Sequence, residues 1–295
     1  MMFLQKAMLL LFSIVLVGCN TTEKETKALP KAKERNVSND FDSYWFQGQA
    51  EITSYALQQE RYGEMREGTA VLVYVTEDFL PEIQVKADAQ NPDNITVLKL
   101  NKMKNFTTGI YPYSIMTSTF SPVFQDAHAI KVSNSVQEWC GHVYAQINNR
   151  ERFEVTSHSY FENEADESFT LEKTWLEDEL WTLLRIDPAL LPQGDIEIIP
   201  SLEYTRLRHK EIKASQAKAV LTKTDSLSNY TVNYPTADRT LRIWFATEPP
   251  FTIEKWEEQI ANNTTKAQKL NDIKSDYWNK NQIKHEVLRD SLFNN

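Results

Sequence analysis

A long succession of strand-like segments is the feature that most constrains the fold of this chain. From Phe41 to about residue 175, stretches rich in β-branched and aromatic residues are separated by clusters of Pro, Asn, Asp or Gly, which end strands. The stretches cover residues 44–57, 70–75, 95–98, 113–120, 129–132, 136–147 and 153–161. Several are longer than the usual strand of about five or six residues. The pattern predicts a mainly β (α+β) fold, in which a long-stranded antiparallel meander forms a curved half-barrel or barrel.

Two segments depart from the strand pattern and predict helices. Four leucines between positions 176 and 184 lie at helical spacing behind acidic residues at 177–179, which suit a helix N-terminus. This predicts a short helix near 176–186, and strand character then returns between 196 and 245. Apolar residues from 257 onward recur at intervals close to 3.6. We therefore expect a β-rich domain over 41–256, with a boundary between two subdomains left open near 176–225, and a C-terminal helix over 257–295 packed on the sheet.

The first residues have the three parts of a bacterial lipoprotein export signal. Lys6 supplies a positive charge, residues 7–17 are apolar apart from one serine, and Gly18 precedes Cys19. The apolar stretch is too short to cross a hydrocarbon core about 30 Å thick, which needs roughly 20 helical residues. Residues 1–18 are therefore predicted to be removed. Cys19 is predicted to carry the lipid, and residues 19–40 form a flexible tether.

Charge and the residue after the cysteine predict where the protein works. Removing residues 1–18 takes away Lys6 only, which leaves 31 Lys and Arg against 41 Asp and Glu and moves the formal net charge from −9 to −10. Such acidity argues against nucleic acid as a partner. Asn20 follows the cysteine where an Asp retains lipoproteins in the inner membrane of well-studied envelopes. We expect an outer-membrane lipoprotein of the cell envelope, on the periplasmic face or displayed at the surface, with the membrane as a partner through its lipid.

The sequence Gln-Glu-Trp-Cys-Gly-His at 137–142 is the most suggestive local motif. On a strand, Glu138, Cys140 and His142 would share one face, because side chains alternate. Such a set could supply a nucleophile, a base and an orienting acid, or zinc ligands. The alternative is an ordinary β face, with Cys140 buried and inert. The five histidines are otherwise scattered, so neither a metal site nor a cofactor is expected.

Two further sets of residues are candidates for ligand binding. If 204–210 is a strand, Arg206, Arg208 and Lys210 share one face, which suits an anionic head group or a carboxylate-rich glycan. The alternative is a solvated face paired with acidic neighbours. Aromatic residues near the two ends of the body, including Trp45 and Trp244, could line a half-barrel that holds an acyl chain. They could equally fill the core.

Several stretches are similar to an uncharacterised group of bacterial envelope lipoproteins. The similar stretches are residues 44–55, 84–88, 109–114, 137–142 and 199–202. That group carries the name septum formation inhibitor Maf, although Maf proteins proper are cytoplasmic nucleotide pyrophosphatases with a Ser-Pro-Arg-Arg motif. The chain has no such motif. The resemblance implies an envelope lipoprotein, and does not imply a pyrophosphatase.

Three functions are compatible with these observations. The first is a lipid-anchored envelope protein that binds an apolar or lipidic ligand, or an envelope partner protein. The second is an envelope hydrolase or thiol enzyme that uses Cys140 and His142. The third is a purely structural lipoprotein. Binding is the function that we expect.

Overall fold

Antiparallel pairing between successive strands builds the fold in the computed structural model, which describes residues 33–293. The strands are β1 (Lys33–Glu34), β2 (Ala50–Arg61), β3 (Glu64–Leu80), β4 (Val85–Lys86), β5 (Ile95–Thr108), β6 (Tyr111–Pro122), β7 (Gln125–Asp126), β8 (Lys131–Glu138), β9 (Gly141–Asn149), β10 (Phe153–His158), β11 (Glu167–Leu171), β12 (Trp175–Leu176), β13 (Gly194–Ile199), β14 (Ser215–Thr222), β15 (Leu227–Tyr234), β16 (Arg239–Ala246), β17 (Ile253–Ile260) and β18 (Asn263–Ser275). The α-helices are α1 (Asn39–Trp45), α2 (Glu177–Ile186), α3 (Leu202–Leu207) and α4 (Val287–Phe293). The predicted signal, Cys19 and most of the predicted tether lie outside the described residues.

The predicted meander is confirmed as one open, strongly curved sheet. Sixteen strands belong to it, in the order β11-β10-β9-β8-β6-β5-β3-β2-β18-β17-β16-β15-β14-β13-β12, with β4 paired to β3. The two edge strands follow each other in the chain, because residues 172–174 connect Leu171 directly to Trp175. A connection of that length spans at most about 14 Å. The sheet therefore curls until its two edges come close, without closing.

The interior of this curved sheet is filled by a helix. Barrels of about eight strands are filled by side chains alone, whereas sixteen strands leave a much wider space. Helix α2 occupies it, at the position where the leucine spacing predicts a helix, and all ten of its residues are buried. Trp181 packs against Trp256 with ring centroids 5.4 Å apart, and the Tyr74 hydroxyl donates to the Trp181 carbonyl at 3.1 Å. The concave face of the sheet thus packs on the chain's own helix.

Buried ion pairs tie the polar residues of α2 to the sheet. Glu177 accepts two hydrogen bonds from Arg239, at 2.5 and 2.6 Å, and a third from the Tyr234 hydroxyl at 2.5 Å. The remaining Nε of Arg239 donates to Glu258 at 2.6 Å. The Arg239 charge holds the pKa of Glu177 below its usual value, although burial acts in the opposite direction. The first turn of α2 is therefore anchored to β16 and β17.

Two further buried charge clusters complete the interior. Near the C-terminus of α2, Arg185 donates to both oxygens of Glu51 on β2, each at 2.6 Å. Beside α3, Glu203 accepts from Lys104 at 2.6 Å and lies 3.5 Å from Lys102. These two ammonium groups lower the pKa of Glu203 to about 2 in spite of its burial. Each of these charges has an opposite partner, as burial in a low-dielectric interior requires.

The predicted C-terminal helix from residue 257 is wrong over most of its length. Residues 253–275 form β17 and β18, and β18 pairs with β2 from Lys266↔Gln58 to Ser275↔Ala50. The helix α4 begins only at Val287. Its Leu292 packs on Ile52 and Val73 of the sheet. The spacing of apolar residues near 3.6 reports only on local sequence. It does not show that one edge of β2 needs a partner strand, and β18 pairs with that edge through backbone hydrogen bonds.

Two other segments predicted as strands are helices. Tyr44 and Trp45 form the end of α1, and Phe46 is its C-cap. The helix begins after Ser38, whose hydroxyl accepts from the Phe41 backbone amide at 3.2 Å. Residues 204–207 belong to α3, which begins after Ser201, whose hydroxyl accepts from the Tyr204 amide at 3.1 Å. Serine at the N-cap satisfies a backbone amide that a helix start leaves free. The N-cap serines therefore indicate the helical conformation of these two segments better than their aromatic and basic side-chain patterns do.

The described residues form a single sheet across the region where a subdomain boundary was left open. Strand β13 pairs with β14 in the antiparallel direction, and β12 pairs with β13 in the parallel direction, so no boundary near 176–225 divides the sheet. Lys33 and Glu34 lie within the predicted tether at 19–40, and they pair with β7. None of the helices between residues 33 and 293 combines the length and the apolar character that crossing a membrane requires.

Candidate functional site

Seven strand connections lie at one end of the sheet, and four of them follow one another along half of it. Because neighbouring strands are antiparallel, the β2–β3, β5–β6, β8–β9 and β10–β11 connections share that end with the β13–β14, β15–β16 and β17–β18 connections. We call the first four connections the rim, which comprises residues 62–63, 109–110, 139–140 and 159–166. Helix α3 lies across this end, where Nη1 of Arg61 donates to the Leu207 carbonyl at 2.5 Å and Arg208 pairs with Glu60. The helix places its basic residues beside the rim.

A cleft of about 120 Å³ opens between α3, β8–β10 and the 159–166 connection. We call it the α3 cleft. Its polar lining residues are Asn134, Ser157, Asn163, Glu164, Glu167, Thr205, Arg206, His209, Lys210 and Glu211. Three of them carry or can carry positive charge, and all three lie in the basic segment that the sequence singles out. The cleft therefore gathers that segment and the carboxylates of Glu164, Glu167 and Glu211 around one small space.

Arg206 is the distinctive residue of the α3 cleft. Its side chain is only 6% exposed, and its guanidinium lies 4.2 Å from the centre of the Phe161 ring. Its Nε and Nη1 atoms are buried without a hydrogen-bond partner among the described residues. The nearest carboxylate oxygen, Oε1 of Glu164, is 3.9 Å from Nη1, which is beyond hydrogen-bond distance. Burial lowers the pKa of Arg206 from its usual value.

The two most deeply buried arginines of the described residues differ from Arg206 in this respect. Arg185 and Arg239 each make a two-pronged contact with a glutamate, and each also donates through Nε. A buried donor without an acceptor costs about 1–3 kcal/mol, and more when it is charged. Arg206 carries that cost at two atoms. An anion in the cleft would compensate this buried charge.

His209 and Glu164 shape the wall of the cleft. His209 adopts a left-handed backbone conformation with φ of 51°, which is uncommon for a residue with a side chain. Its Nδ1 lies 2.6 Å from Oε1 of Glu164, and its ring packs edge-on against Phe161 at 5.3 Å. His209 therefore holds the carboxylate that is nearest to Arg206. The spacing of residues in the sequence gives no sign of the Phe161 and Glu164 contacts, because their loop has no regular pattern.

The proposed common face of Glu138, Cys140 and His142 does not exist. Strand β8 ends at Glu138, Cys140 lies in the turn, and His142 lies on the returning strand β9. Cys140 is exposed, and its predicted burial is wrong. The Glu138 carboxylate accepts from the Cys140 amide at 2.7 Å and raises the pKa of the thiol. A nucleophilic cysteine needs a lowered pKa, so this geometry does not support the thiol-enzyme hypothesis.

Exposure and raised pKa lead to a specific expectation for Cys140. With Cys19 replaced by serine, the folded chain should react with one equivalent of a thiol reagent such as DTNB at pH 7.5. Glu138→Gln should react faster, because the pKa of the thiol falls when the carboxylate is removed and more thiolate is present. A time course of absorbance measures both rates. Reaction only after denaturation would show that the thiol is buried.

The remaining candidate residues lie away from the α3 cleft. Trp45 is 1% exposed and packs in the core, where the Arg185 guanidinium lies 4.9 Å from its ring. Trp244 is half-buried on the face of β16 opposite to buried Ile243 and does not line the interior. Arg208 pairs with Glu60 outside the cleft. Among residues 33–293, no three His, Cys, Asp or Glu side chains form a group that could hold a metal ion.

Comparison with known proteins adds a solved structure with a distantly similar fold. It is described as a β-barrel-like protein of the domain of unknown function DUF1849 from Brucella abortus, and the TM-score is 0.45 at 8% sequence identity. The alignment covers 76% of this chain and 96% of that chain. No protein-family model matches the chain, and no curated protein matches it in sequence. The similarity to envelope lipoproteins therefore stays a prediction.

Proposed function

We propose that this protein is a lipid-anchored binding protein of the cell envelope that takes a ligand carboxylate or phosphate in the α3 cleft. The observation that supports this most strongly is the Arg206 guanidinium, which is buried with two donor atoms free of hydrogen bonds. Planar guanidinium groups bind carboxylates and phosphates through paired hydrogen bonds. Lys210 and His209 on the same wall add positive charge or donors.

Binding of an acyl chain inside the sheet has no support in the described residues. The aromatic rings that could line such a space, including Trp45, Phe245 and Trp256, belong to the main core together with Leu180 and Trp181 of α2. The interior also contains ion pairs, which disfavour an apolar chain. The α3 cleft is polar and lies at the end of the sheet. An anionic group is therefore a better match than a hydrocarbon tail.

Arg206→Gln should lower the affinity for inorganic phosphate and for acetate by about tenfold or more. The loss follows from removing charge-assisted hydrogen bonds, which are worth about 1.5–3 kcal/mol. The thermal midpoint of unfolding should stay equal or rise, because the variant removes a buried charge that has no hydrogen-bonded partner. Ligand-observed NMR titration measures the affinity, and calorimetry measures the midpoint.

Arg208→Gln is the matched control for this experiment. Arg208 lies two residues away, outside the α3 cleft, and it is paired with Glu60. The control should bind both anions as the unmodified protein does. Equal anion affinity in Arg206→Gln and the unmodified protein would contradict the proposed site, as would a marked loss of stability in Arg206→Gln.

The anchor is tested separately by the fate of Cys19. In cells grown with a labelled fatty acid, the protein should carry the label and sediment with membranes. Cys19→Ser should lose the label and remain unprocessed, because lipobox processing needs the cysteine. Recovery of the unmodified chain in the soluble fraction without label would contradict the lipoprotein part of the proposal and leave the α3 cleft untouched.

A further inference from the structure

Large aromatic side chains are exposed at the rim beside the α3 cleft. Trp139 is 68% exposed at the β8–β9 turn, and Tyr160 is 67% exposed near the start of the β10–β11 connection. The Tyr160 ring rests on Gly141, since a Cβ at that glycine would lie 2.7 Å from Cγ of the ring. Trp139 is held by Tyr111 at a centroid distance of 6.4 Å. Both rings are positioned by neighbours while much of each ring stays in contact with solvent.

The Tyr160 ring is connected to Arg206 through one side chain. Phe161 packs against Tyr160 with ring centroids 5.6 Å apart, and the Arg206 guanidinium lies 4.2 Å from the Phe161 ring. The Tyr160 ring and the guanidinium are therefore no more than about 10 Å apart. One ligand can contact both groups if it carries an anionic group for Arg206 and, directly attached to it, a ring with a flat face for Tyr160.

We infer that the ligand is a carboxylate-bearing saccharide, whose carboxylate pairs with Arg206 and whose pyranose ring packs on Tyr160. This inference rests on the proposed function of the α3 cleft. The C–H face of a pyranose matches an aromatic face, and the hydroxyls at its edge need acceptors. Glu162, Asp166 and Glu167 supply exposed carboxylates in and beside the 159–166 connection. A saccharide uses all three kinds of group.

The same carboxylates argue against an anionic bilayer as the partner of the rim. Interfacial Trp and Tyr are common where proteins meet membranes, so the exposed rings alone would suit either partner. Carboxylates at 138, 162, 164, 166 and 167 lie within seven positions of Trp139 or Tyr160 in the chain, and the chain is acidic overall. They would repel a surface that carries many anionic head groups. A saccharide with a single carboxylate can place that group at Arg206 and offer its hydroxyls to these acceptors.

The test compares D-glucuronate, D-glucose and acetate by ligand-observed NMR titration of the full chain from residue 19 with Cys19→Ser. Glucuronate should bind at least tenfold more tightly than either acetate or glucose. Tyr160→Ala should remove this advantage and leave acetate affinity unchanged, and Gly141→Ala should reduce it by displacing the ring. Phe124→Ala, which alters an aromatic side chain 40% exposed at the other end of the sheet, should change neither affinity.

Other outcomes separate this inference from the proposed function. Equal affinities for glucuronate and acetate, both lost in Arg206→Gln, would overturn the saccharide and leave the anion site intact. An advantage that survives in Tyr160→Ala would overturn the role of the rim. No binding of any anion would remove both proposals. Binding to phosphatidylglycerol vesicles that Trp139→Ala abolishes, without a preference for glucuronate, would identify a bilayer instead.

Discussion

Replacing Arg239 by glutamine should lower the free energy of unfolding by about 3–5 kcal/mol. Removing one partner of a buried ion pair leaves the other charge without compensation, and losses of this size are typical. Here Arg239 is the partner of Glu177 and Glu258, and both Arg239 and Glu177 are almost completely buried. The Tyr234 hydroxyl would then be the one strong donor left to Glu177. Urea unfolding at pH 7 measures the change.

The charge on Glu177 makes this loss depend on pH in a defined direction. Arg239 lowers the pKa of Glu177 in the folded protein, so the pair stabilises the fold above the ordinary glutamate pKa of about 4.3. That stabilisation disappears as the pH falls through the lowered folded-state pKa. Without Arg239, burial raises the pKa of the carboxyl against only the Tyr234 hydrogen bond and the Lys102 charge. The loss of stability in the variant should therefore be smaller at a pH low enough to protonate Glu177 than at pH 7.

A neighbouring arginine provides the control for Arg239→Gln. Arg242 lies on the same strand but is half-exposed. Arg242→Gln should change the unfolding free energy by no more than about 0.5 kcal/mol, as surface substitutions usually do. If both variants lost stability equally, the deficit would belong to the strand and not to the buried pair. Little loss in Arg239→Gln would mean that Glu177 takes up a proton at low cost.

Trp181→Ala should cost about 3–5 kcal/mol of unfolding free energy. Truncating a buried tryptophan removes its apolar burial and leaves a cavity that the surroundings fill only in part. Trp181 is 2% exposed on α2, contacts Trp256 edge-on, and has the Lys102 ammonium 4.7 Å from its ring. Because α2 fills the interior of the sheet, few neighbours can collapse into the gap. Urea unfolding followed by circular dichroism measures the loss.

Trp139 offers the matched substitution of the same residue type. It is 68% exposed at the rim, and Trp139→Ala should leave the unfolding free energy within about 0.5 kcal/mol of the original. A large loss in both variants would indicate that the rim contributes to the core. A small loss in Trp181→Ala would mean that α2 is not the main filling of the interior.

Three of the buried arginines divide into two roles that these variants separate. Arg185 and Arg239 hold helix α2 to the sheet, and their donors are used within the chain. Arg206 leaves two donors unused beside a cleft. Replacing Arg185 or Arg239 should lower the free energy of unfolding, whereas replacing Arg206 should lower the affinity for the anion. A site that keeps unsatisfied polar groups for a ligand is expected to lower stability and not to add to it.

Local patterns were sufficient for the parts of the fold with regular spacing. The β-branched runs predicted strands at the positions of β3, β5 and β6, although β3 and β5 extend well beyond the predicted 70–75 and 95–98, and the leucines with acidic residues in the first turn predicted α2. The helix predicted from residue 257 is wrong as far as residue 275, because the apolar residues of β17 and β18 also recur at close to the helical period of 3.6. Two segments predicted as strands, the aromatic one at 44–46 and the basic one at 204–207, follow N-cap serines that mark the start of helices, Ser38 and Ser201.

The candidate site was only half visible in the sequence. The basic segment at 204–210 drew attention to Arg206, but the segment is a helix followed by a turn, so the shared strand face with Arg208 does not form. Glu138 and Cys140 lie at the rim, yet they do not assemble with His142 as a catalytic set. Phe161 and Glu164 lie 45 and 42 positions before Arg206 in the chain. They belong to a loop without regular hydrophobic spacing, so the sequence does not indicate their contacts with Arg206.

The sequence by itself determined a β meander with one buried helix, because hydrophobic spacing and turn residues act over a few neighbouring positions. Only the tertiary structure decided which charges are paired. Arg239 and Glu177 are 62 positions apart, and Arg185 and Glu51 are 134 apart. Whether a buried guanidinium finds a carboxylate depends on how distant strands and helices pack. That packing satisfies Arg185 and Arg239 and leaves Arg206 with donors free for a ligand.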